Sequence, residues 1–372
     1  MTIWLCIFPK NSDNKDSLWL RSQGIINFWK NRGKILDFDN IQEYNENSYV
    51  NGGNEMEGQN NQVARSAQQI LSQVRKVVQG KDRVLLWTLA AILAKGHILL
   101  EDIPGVGKTS MALAFSKTMD LRCGRVQFTP DVLPSDVTGY SMPDPQTGMM
   151  VYRSGAVMCN LFLADELNRA TSRTQSALLE AMEEGQVTVD GVSHPLPEPF
   201  VVIATQNPTG AAGTQLLPDS QMDRFMIRLR MGYPDAQHEA AMVLARQGRN
   251  PLQELEPVLT LAQLNTLRET VEQTHVGQTV VNYLVELIQA TRKDPRILQG
   301  ASPRGTLAVV SMAKAVACLQ GRDYVIPEDV REVFVQTVSH RLFLSPLAEG
   351  KGETAEDILR QILESVKAPK LR

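Results

Sequence analysis

The stretch EDIPGVGKTS, residues 101–110, decides the fold class of this chain. It follows the short apolar run HILLE (97–101) and precedes a helical pattern over residues 109–119. A strand, a glycine-containing loop and a helix in this order are typical of a phosphate-binding loop. Glycines let backbone N–H groups converge on phosphate oxygens, and the start of a helix favours negative charge. The sequence therefore predicts a phosphate-binding loop.

The residues of this loop have expected roles. Lys108 can bridge β- and γ-phosphates, and Thr109 can coordinate Mg²⁺. The residues expected to bind the nucleotide are Pro104, Gly105, Val106, Gly107, Lys108, Thr109 and Ser110. The strict pattern GxxxxGK[ST] has glycine where this chain has Asp102, and a Gly-Pro turn with a surface lysine is the alternative. A dinucleotide loop fits less well because GVGKTS lacks the third glycine of GxGxxG.

Two further short apolar runs, NLFLADE (160–166) and FVVIATQNP (200–208), predict buried parallel strands that end in polar residues. Carboxylates at the end of a buried strand are costly unless they meet a cation, so Asp165 is a candidate Mg²⁺ ligand. Glu166 is then the candidate that polarises an attacking water. The alternative is a strand that ends in solvated acids.

Three further polar residues lie in segments that follow the predicted strands or precede a predicted helix. Asn207 could orient water or a γ-phosphate oxygen, or form a turn before the following proline. Arg224 lies in LPDSQMDRF, and a guanidinium can stabilise a transferring phosphoryl group, including across a subunit boundary. The alternative is an ion pair with Asp219 or Asp223. Arg304, in GASPRGT, lies near a predicted helix start and would by itself more often be structural.

At 372 residues the chain is expected to form two domains. Residues 1–60 differ in composition from the rest, and the polar, Gly/Asn-rich stretch 45–62 predicts a linker. Met56 lies in this stretch, so one hypothesis is that natural translation starts there and residues 1–55 are not native. A small appended element is the alternative.

Helices and two hairpins are predicted around the strands. Helical patterns cover residues 63–78 and 81–95, and alternating segments with turn signals predict hairpins at 139–153 and 186–196. After Pro234 the strand signal fades, and the C-terminal part is expected to be helical. Its helical patterns cover residues 236–247, 261–273, 278–292, 303–319, 327–340 and 354–366.

Composition excludes several classes of protein. A net charge of −3 and a pI near 6.0 leave no excess positive charge to attract nucleic acid. The longest apolar run, residues 85–94, is too short for a helix that crosses a bilayer. Without a signal-like start, the expected location is cytoplasmic. The cysteines (Cys6, Cys123, Cys159 and Cys318) are far apart and predict reduced, mostly buried thiols. Neither HExxH nor GxSxG occurs, which removes the usual support for zinc or serine hydrolysis.

Seven segments together resemble the MoxR family of AAA+ ATPases. In chain order they are EDIPGVGKT, TPDVLPSDVTGY, LADELNRA, QSALLEAMEEGQVTVDG, ATQNP, LLPDSQMDRF and GASPRGT. The resemblance covers about residues 63–366. It implies an α/β fold, with a P-loop AAA+ parallel-sheet nucleotide-binding domain at 61–233 and an all-helical lid domain at 234–372.

The resemblance also implies roles for single residues. Lys108 and Thr109 match Walker A, and Asp165 and Glu166 match Walker B. Asn207 matches sensor 1 and Arg224 the arginine finger, which is expected to reach a neighbour's γ-phosphate. Arg304 matches sensor 2, which is expected to report the nucleotide state to the lid; only the resemblance gives Arg304 a catalytic role. The two hairpins are expected to face the pore of a ring. Arg169 matches a family motif, but the resemblance assigns it no role.

The expected function is hydrolysis of ATP with Mg²⁺ by a ring, expected to be hexameric, that remodels or activates proteins in a chaperone-like way. Proteins with von Willebrand factor A domains are the expected partners. One alternative is a nucleotide-binding switch with little turnover, against which Glu166 and Arg224 argue. A nucleic-acid-translocating motor is the other, and it is disfavoured because Arg153 is the only Lys or Arg in the two hairpins.

Overall fold

The computed structural model describes residues 55–103, 105–207, 217–245 and 250–370. Residues 1–54, which include Cys6 and most of the predicted linker, lie outside the described part, as does Pro104. The linker prediction is wrong over residues 55–62, because the first helix already begins at Glu55. The polar residues there continue the helix whose apolar side chains, such as Ile70 and Val74, are buried.

Five parallel strands form the central sheet in the order β2-β5-β8-β1-β9. They are β1 (Ile98–Glu101), β2 (Cys123–Gln127), β5 (Leu161–Asp165), β8 (Val201–Gln206) and β9 (Ile227–Leu229). Every residue of β1, β5 and β8 is buried, which explains their continuous apolar sequence. The three predicted strands are confirmed with slightly shorter bounds. The sheet edges β2 and β9 were not predicted, because β2 is only partly buried and β9 has three residues.

Helices surround the sheet. They are α1 (Glu55–Arg75), α2 (Asp82–Leu93), α3 (Lys108–Thr118), α4 (Pro134–Thr138), α5 (Ser172–Glu184) and α6 (Asp219–Met222). Helix α5 was not predicted from the sequence. Thr171 caps its first turn by accepting a hydrogen bond from the Thr174 N–H, and Gly185 ends it at φ +64°.

Both predicted hairpins are confirmed. The first pairs β3 (Gly139–Pro143) with β4 (Met150–Ser154), and the second pairs β6 (Gln186–Val189) with β7 (Val192–Pro195). They contact each other through Tyr152 and His194, whose rings stack with centroids 3.8 Å apart.

The C-terminal part is helical, as predicted. Its helices are α7 (Ala236–Ala245), α8 (Leu261–Gln273), α9 (Gln278–Lys293), α10 (Pro303–Leu319), α11 (Pro327–Val338), α12 (Pro346–Gly350) and α13 (Ala355–Ser365). The sequence did not predict the short antiparallel pair of β10 (Ile297–Gln299) and β11 (Phe343–Leu344). Among the described residues, no helix is both long and apolar enough to cross a membrane.

Candidate functional site

The loop between β1 and α3 carries the predicted phosphate-binding residues. Gly105 and Gly107 have φ +88° and +99°, values that side-chain-bearing residues rarely adopt. A Cβ at Gly105 would meet nothing within 4 Å, so conformation rather than crowding requires glycine there. Helix α3 begins directly after Gly107, so its first free N–H groups lie at the loop. Pro104 lies outside the described residues.

Lys108 is buried at the start of α3. Its Nζ donates a hydrogen bond to the Asp102 carbonyl oxygen over 2.7 Å. Burial lowers the pKa of Lys108, and the carboxylates of Asp102, Asp165 and Glu166 oppose this shift. Three carboxylates therefore lie near the buried ammonium group of Lys108. Their negative charge favours its charged form beside the loop.

Asp165, at the carboxyl end of β5, is the centre of the polar contacts. Its Oδ2 accepts hydrogen bonds from Thr109 Oγ1 (3.2 Å) and Arg125 Nη2 (2.9 Å), and its Oδ1 accepts one from Thr205 Oγ1 (2.8 Å). The structure thus brings together Thr109 and Asp165, the two predicted metal ligands. No pattern in the sequence indicated Arg125, which lies on the unpredicted strand β2. Thr205 lies in the ATQNP segment, two residues before Asn207, and could have been found there.

Glu166 has a left-handed backbone, with φ 55° and ψ 45°. For a residue other than glycine this conformation costs about 1–3 kcal/mol, and residues strained in this way cluster at functional sites. The Glu166 N–H donates to Thr205 Oγ1 over 2.8 Å, which ties the residue to β8. The Glu166 side chain forms an ion pair with Arg169, with Oε2 and Nη1 2.7 Å apart. The structure therefore gives Arg169, which had no assigned role, a direct contact with the candidate catalytic carboxylate.

Asn207 follows β8 at the same edge of the sheet. Its carbonyl oxygen accepts a hydrogen bond from Asn168 Nδ2 over 3.1 Å, and Asn168 lies two residues after Glu166. The Asn207 backbone is thus held by a buried amide of the short turn that follows Asp165 and Glu166. The carboxyl ends of β1, β5 and β8 bring the loop, the acids and Asn207 to one edge of the sheet, where α/β proteins bind their ligands.

Asp102, the departure from the strict loop pattern, has a defined role. Its Oδ2 accepts hydrogen bonds from the backbone N–H groups of Met231 and Gly232, the second over 2.8 Å. The neighbouring Glu101 is buried and pairs with Arg230 Nη2 over 2.6 Å. Arg228 pairs with Glu356 of α13 over 2.7 Å and lies 3.6 Å from Glu101. Carboxylates at the start of the loop therefore tie it to the segment after β9 and, through Arg228, to the C-terminal helices.

Arg224 and Arg304 meet at one carboxylate. Arg224 Nε donates to Glu183 Oε2 over 2.7 Å, and Arg304 Nη2 donates to Glu183 Oε1. Sequence reasoning missed Glu183, which had no signal beyond its place in the QSALLEAMEEGQVTVDG segment. The expected alternative partner Asp223 instead binds Arg341, and the Asp219 side chain lies outside the described residues.

A buried contact supports this pair of arginines. Arg341 is only 2% exposed in its side chain and donates to a carboxylate oxygen and the carbonyl oxygen of Asp223. Ser302 Oγ donates to the other Asp223 oxygen over 3.0 Å and also caps α10 by accepting the Gly305 N–H. Asp223 directly precedes Arg224, and Ser302 lies two residues before Arg304. One carboxylate therefore fixes the backbone beside both arginines.

The residues present fit a magnesium-bound nucleoside triphosphate. Left-handed glycines and a helix start can take phosphate oxygens, Lys108 supplies a cation, and the Thr109 hydroxyl and Asp165 carboxylate are oxygen ligands of the kind Mg²⁺ prefers. Among the residues the structure describes, no cluster of three or more His, Cys, Asp or Glu could hold a metal by itself. Mg²⁺ bound with a nucleotide needs only one or two protein carboxylates, because phosphates and waters supply the rest.

The described cysteines lie apart from this site. Cys123, Cys159 and Cys318 are thiols that are not joined in disulfides, and the last two are buried, as predicted. Burial raises the pKa of Cys159 to about 12 and that of Cys318 to about 11. Both thiols therefore stay protonated at neutral pH and are poor nucleophiles.

Comparison with known proteins gives matches to both halves of the described chain. The family described as "ATPase family associated with various cellular activities (AAA)" matches residues 97–227, and "AAA lid domain" matches residues 289–362. An uncharacterized Bacillus subtilis protein, YeaC, is 46% identical over 80% of this chain and 92% of its own length. The "Chaperone MoxR1" of Mycobacterium tuberculosis is 36% identical over 80% of this chain and 81% of its own.

A solved structure is similar over nearly the whole described part. The crystal structure of a Cytophaga hutchinsonii protein, described as a candidate ATPase, has a TM-score of 0.78 and 35% sequence identity. The similarity covers 84% of this chain and 98% of that protein.

Proposed function

Because the chain belongs to the MoxR family of AAA+ ATPases, we propose that it binds ATP with Mg²⁺ and hydrolyses it at a site shared between two copies of the chain. The observation that carries this proposal is the group formed by Lys108, Thr109, Asp165 and Glu166 at one edge of the sheet. The proposed domains are an ATPase domain at 61–233 and a lid domain at 234–372.

In this proposal each residue of the first copy has one task. The loop 104–110 binds the phosphates and Lys108 the β- and γ-phosphates, while Thr109 and Asp165 hold Mg²⁺, which neutralises charge on the triphosphate. Glu166 orients and polarises the attacking water, and Asn207 orients it or a γ-phosphate oxygen. The backbone contact of Glu166 with Thr205 fixes the Glu166 backbone relative to Asp165, because Thr205 binds both residues.

The arginines complete the site from a neighbouring copy. Arg224 and Arg304 both bind Glu183 in their own chain, so they form one cationic group rather than two separate contacts. A cationic group beside a neighbour's γ-phosphate would stabilise charge in the transition state. The need for a neighbour's arginines is the argument for an assembly of several copies, and we propose that this assembly is a ring of six.

The proposed biological role is remodelling or activation of other proteins, as the name of the mycobacterial relative suggests. The two hairpins, joined by the stacked rings of Tyr152 and His194, are proposed to contact the client in the pore. Proteins with von Willebrand factor A domains are the proposed partners. A cytoplasmic location is proposed because the described cysteines are thiols rather than disulfides.

The test is ATP hydrolysis by the purified chain at increasing protein concentration. We expect activity per chain to rise and level off, because Arg224 acts on a neighbour. Glu166→Gln should keep ATP binding and lower turnover at least about 100-fold, since general-base contributions are of this size. Lys108→Ala should weaken ATP binding itself. Unchanged turnover in Glu166→Gln would reject the assignment of the water-polarising carboxylate.

One contact favours a second candidate, a nucleotide switch that turns over slowly until a client binds. The ion pair between Arg169 and Glu166 occupies the carboxylate that must orient water. A client or neighbour that draws Arg169 away would release Glu166. Turnover that is low for the chain alone and rises with a client protein would favour this candidate.

A further inference from the structure

Glu183 joins two arginines that come from different parts of the chain. Arg224 is 41 residues and Arg304 is 121 residues away from it in sequence. Each of the three side chains retains 28–48% of its exposure, so the group lies at the surface. The same three residues and Met182 line a cavity of about 160 Å³. The group is therefore accessible to an anion.

The contacts leave donors for such an anion. Glu183 engages Nε of Arg224 and Nη2 of Arg304, and a guanidinium carries five N–H donors. Four donors of each arginine thus lie outside these two bonds. Two guanidinium groups beside each other repel, and the shared carboxylate offsets this repulsion while leaving one net positive charge.

Glu183 is ionised under ordinary conditions. Hydrogen bonds from Arg224 first, and then from Arg304, lower the pKa of the Glu183 carboxyl. A carboxylate cannot itself bind a phosphate, because both are anions. Its effect on the reaction must therefore pass through the two arginines.

We propose that Glu183 is a positioning residue that holds Arg224 and Arg304 side by side for the γ-phosphate of a neighbouring copy. The inference rests on the proposed ATPase function. Because the two guanidinium groups are ordered before the phosphate arrives, less conformational entropy is lost when they bind it. Without Glu183 the arginines repel and separate, and stabilisation of the transition state falls.

The first experiment compares Glu183→Ala with Glu184→Ala, the same change at the next exposed residue of the chain. We expect Glu183→Ala to lower kcat about 10-fold and to change KM for ATP less than about two-fold, because the arginines act mainly in the transition state. Glu183→Gln, which keeps an acceptor oxygen, should recover part of kcat. Glu184→Ala should behave like the wild type.

The second experiment mixes variants in full-length chains. A Glu166→Gln copy hydrolyses ATP at least about 100-fold more slowly but has normally positioned arginines. A Glu183→Ala copy keeps Glu166 but lacks positioned arginines. When the two variants are mixed in equal amounts, the ATPase activity per Glu183→Ala copy should be several-fold higher than in Glu183→Ala alone. Copies that carry both substitutions are the matched control and should not raise it, because they lack positioned arginines.

Every result of these two experiments supports or rejects the positioning role of Glu183. If Glu166→Gln copies raise the activity no more than the doubly substituted control does, or if kcat of Glu183→Ala and Glu183→Gln equals that of Glu184→Ala, the proposal is wrong. If the wild type hydrolyses no ATP at any protein concentration, the proposed function fails and this inference fails with it. If Glu183→Ala does not fold, as judged by circular dichroism, Glu183→Gln replaces it in the mixture.

Discussion

Replacing Asp223 with alanine should destabilise the protein more than any change of an exposed acid. The carboxylate binds Arg341, whose side chain is 2% exposed, and the Ser302 hydroxyl. Burial lowers the pKa of Arg341 while Asp223 opposes the shift, so Asp223 is the partner that compensates the buried charge. The substitution leaves this charge without its counterion.

The size of the effect follows from these contacts. Breaking a buried ion pair from one side costs about 3–5 kcal/mol, and we take about 3 because Asp223 retains 23% of its side-chain exposure. The hydrogen bond from Ser302 adds about 1 kcal/mol. A loss of about 4 kcal/mol should lower Tm by about 8 °C, at about 2 °C per kcal/mol for a chain of this size.

Differential scanning calorimetry measures this change. Asp131→Ala is the control, since Asp131 is exposed and its removal should change stability by less than about 0.5 kcal/mol. A Tm of Asp223→Ala within about 2 °C of the control would refute the reasoning, because at this slope it corresponds to only about 1 kcal/mol. Arg341 would then be stabilised by the carbonyl groups of Asp223 and Phe225 and not by the carboxylate.

Three further predictions concern single residues. Burial lowers the pKa of His97 to about 4, so as the pH falls the imidazole is protonated in the unfolded chain before it is protonated in the folded chain. The contribution of His97 to the free energy of unfolding should therefore be complete above pH 6.5 and should fall by about 3 kcal/mol towards pH 4. In His97→Gln, the free energy of unfolding measured in urea should depend less on pH over that range. An unchanged pH dependence would contradict the lowered pKa of His97. Asp102→Gly, which restores the strict loop pattern, should lose about 2 kcal/mol in urea unfolding because two backbone N–H groups lose their acceptor. Asp102→Asn keeps an acceptor and should lose less; equal losses would show that the carboxylate is not acting as this cap. Arg169→Gln should raise basal ATP turnover about two-fold, since an exposed ion pair contributes about 0.5 kcal/mol, and a fall in turnover would mean that Arg169 assists Glu166.

The sequence by itself determined the parallel sheet and the edge that carries the site. Buried strands such as Leu161–Asp165 have continuous apolar runs, and the polar residues at their ends mark where the chain leaves the core. The glycines of the loop, which adopt left-handed conformations, were identifiable because few other residues can replace them. Edge strands such as Cys123–Gln127 were missed because partial burial leaves no distinct pattern.

Only the tertiary structure decided which charges meet. Ion pairs such as Arg224–Glu183 and Arg341–Asp223 join residues 41 and 118 positions apart, and no spacing along the chain encodes such a choice. The reason is physical: a guanidinium binds any carboxylate that the fold brings within about 3 Å, whereas apolar periodicity acts locally and is visible in the sequence. The role of Asp102 likewise became visible only when the segment after β9 placed its N–H groups beside the loop.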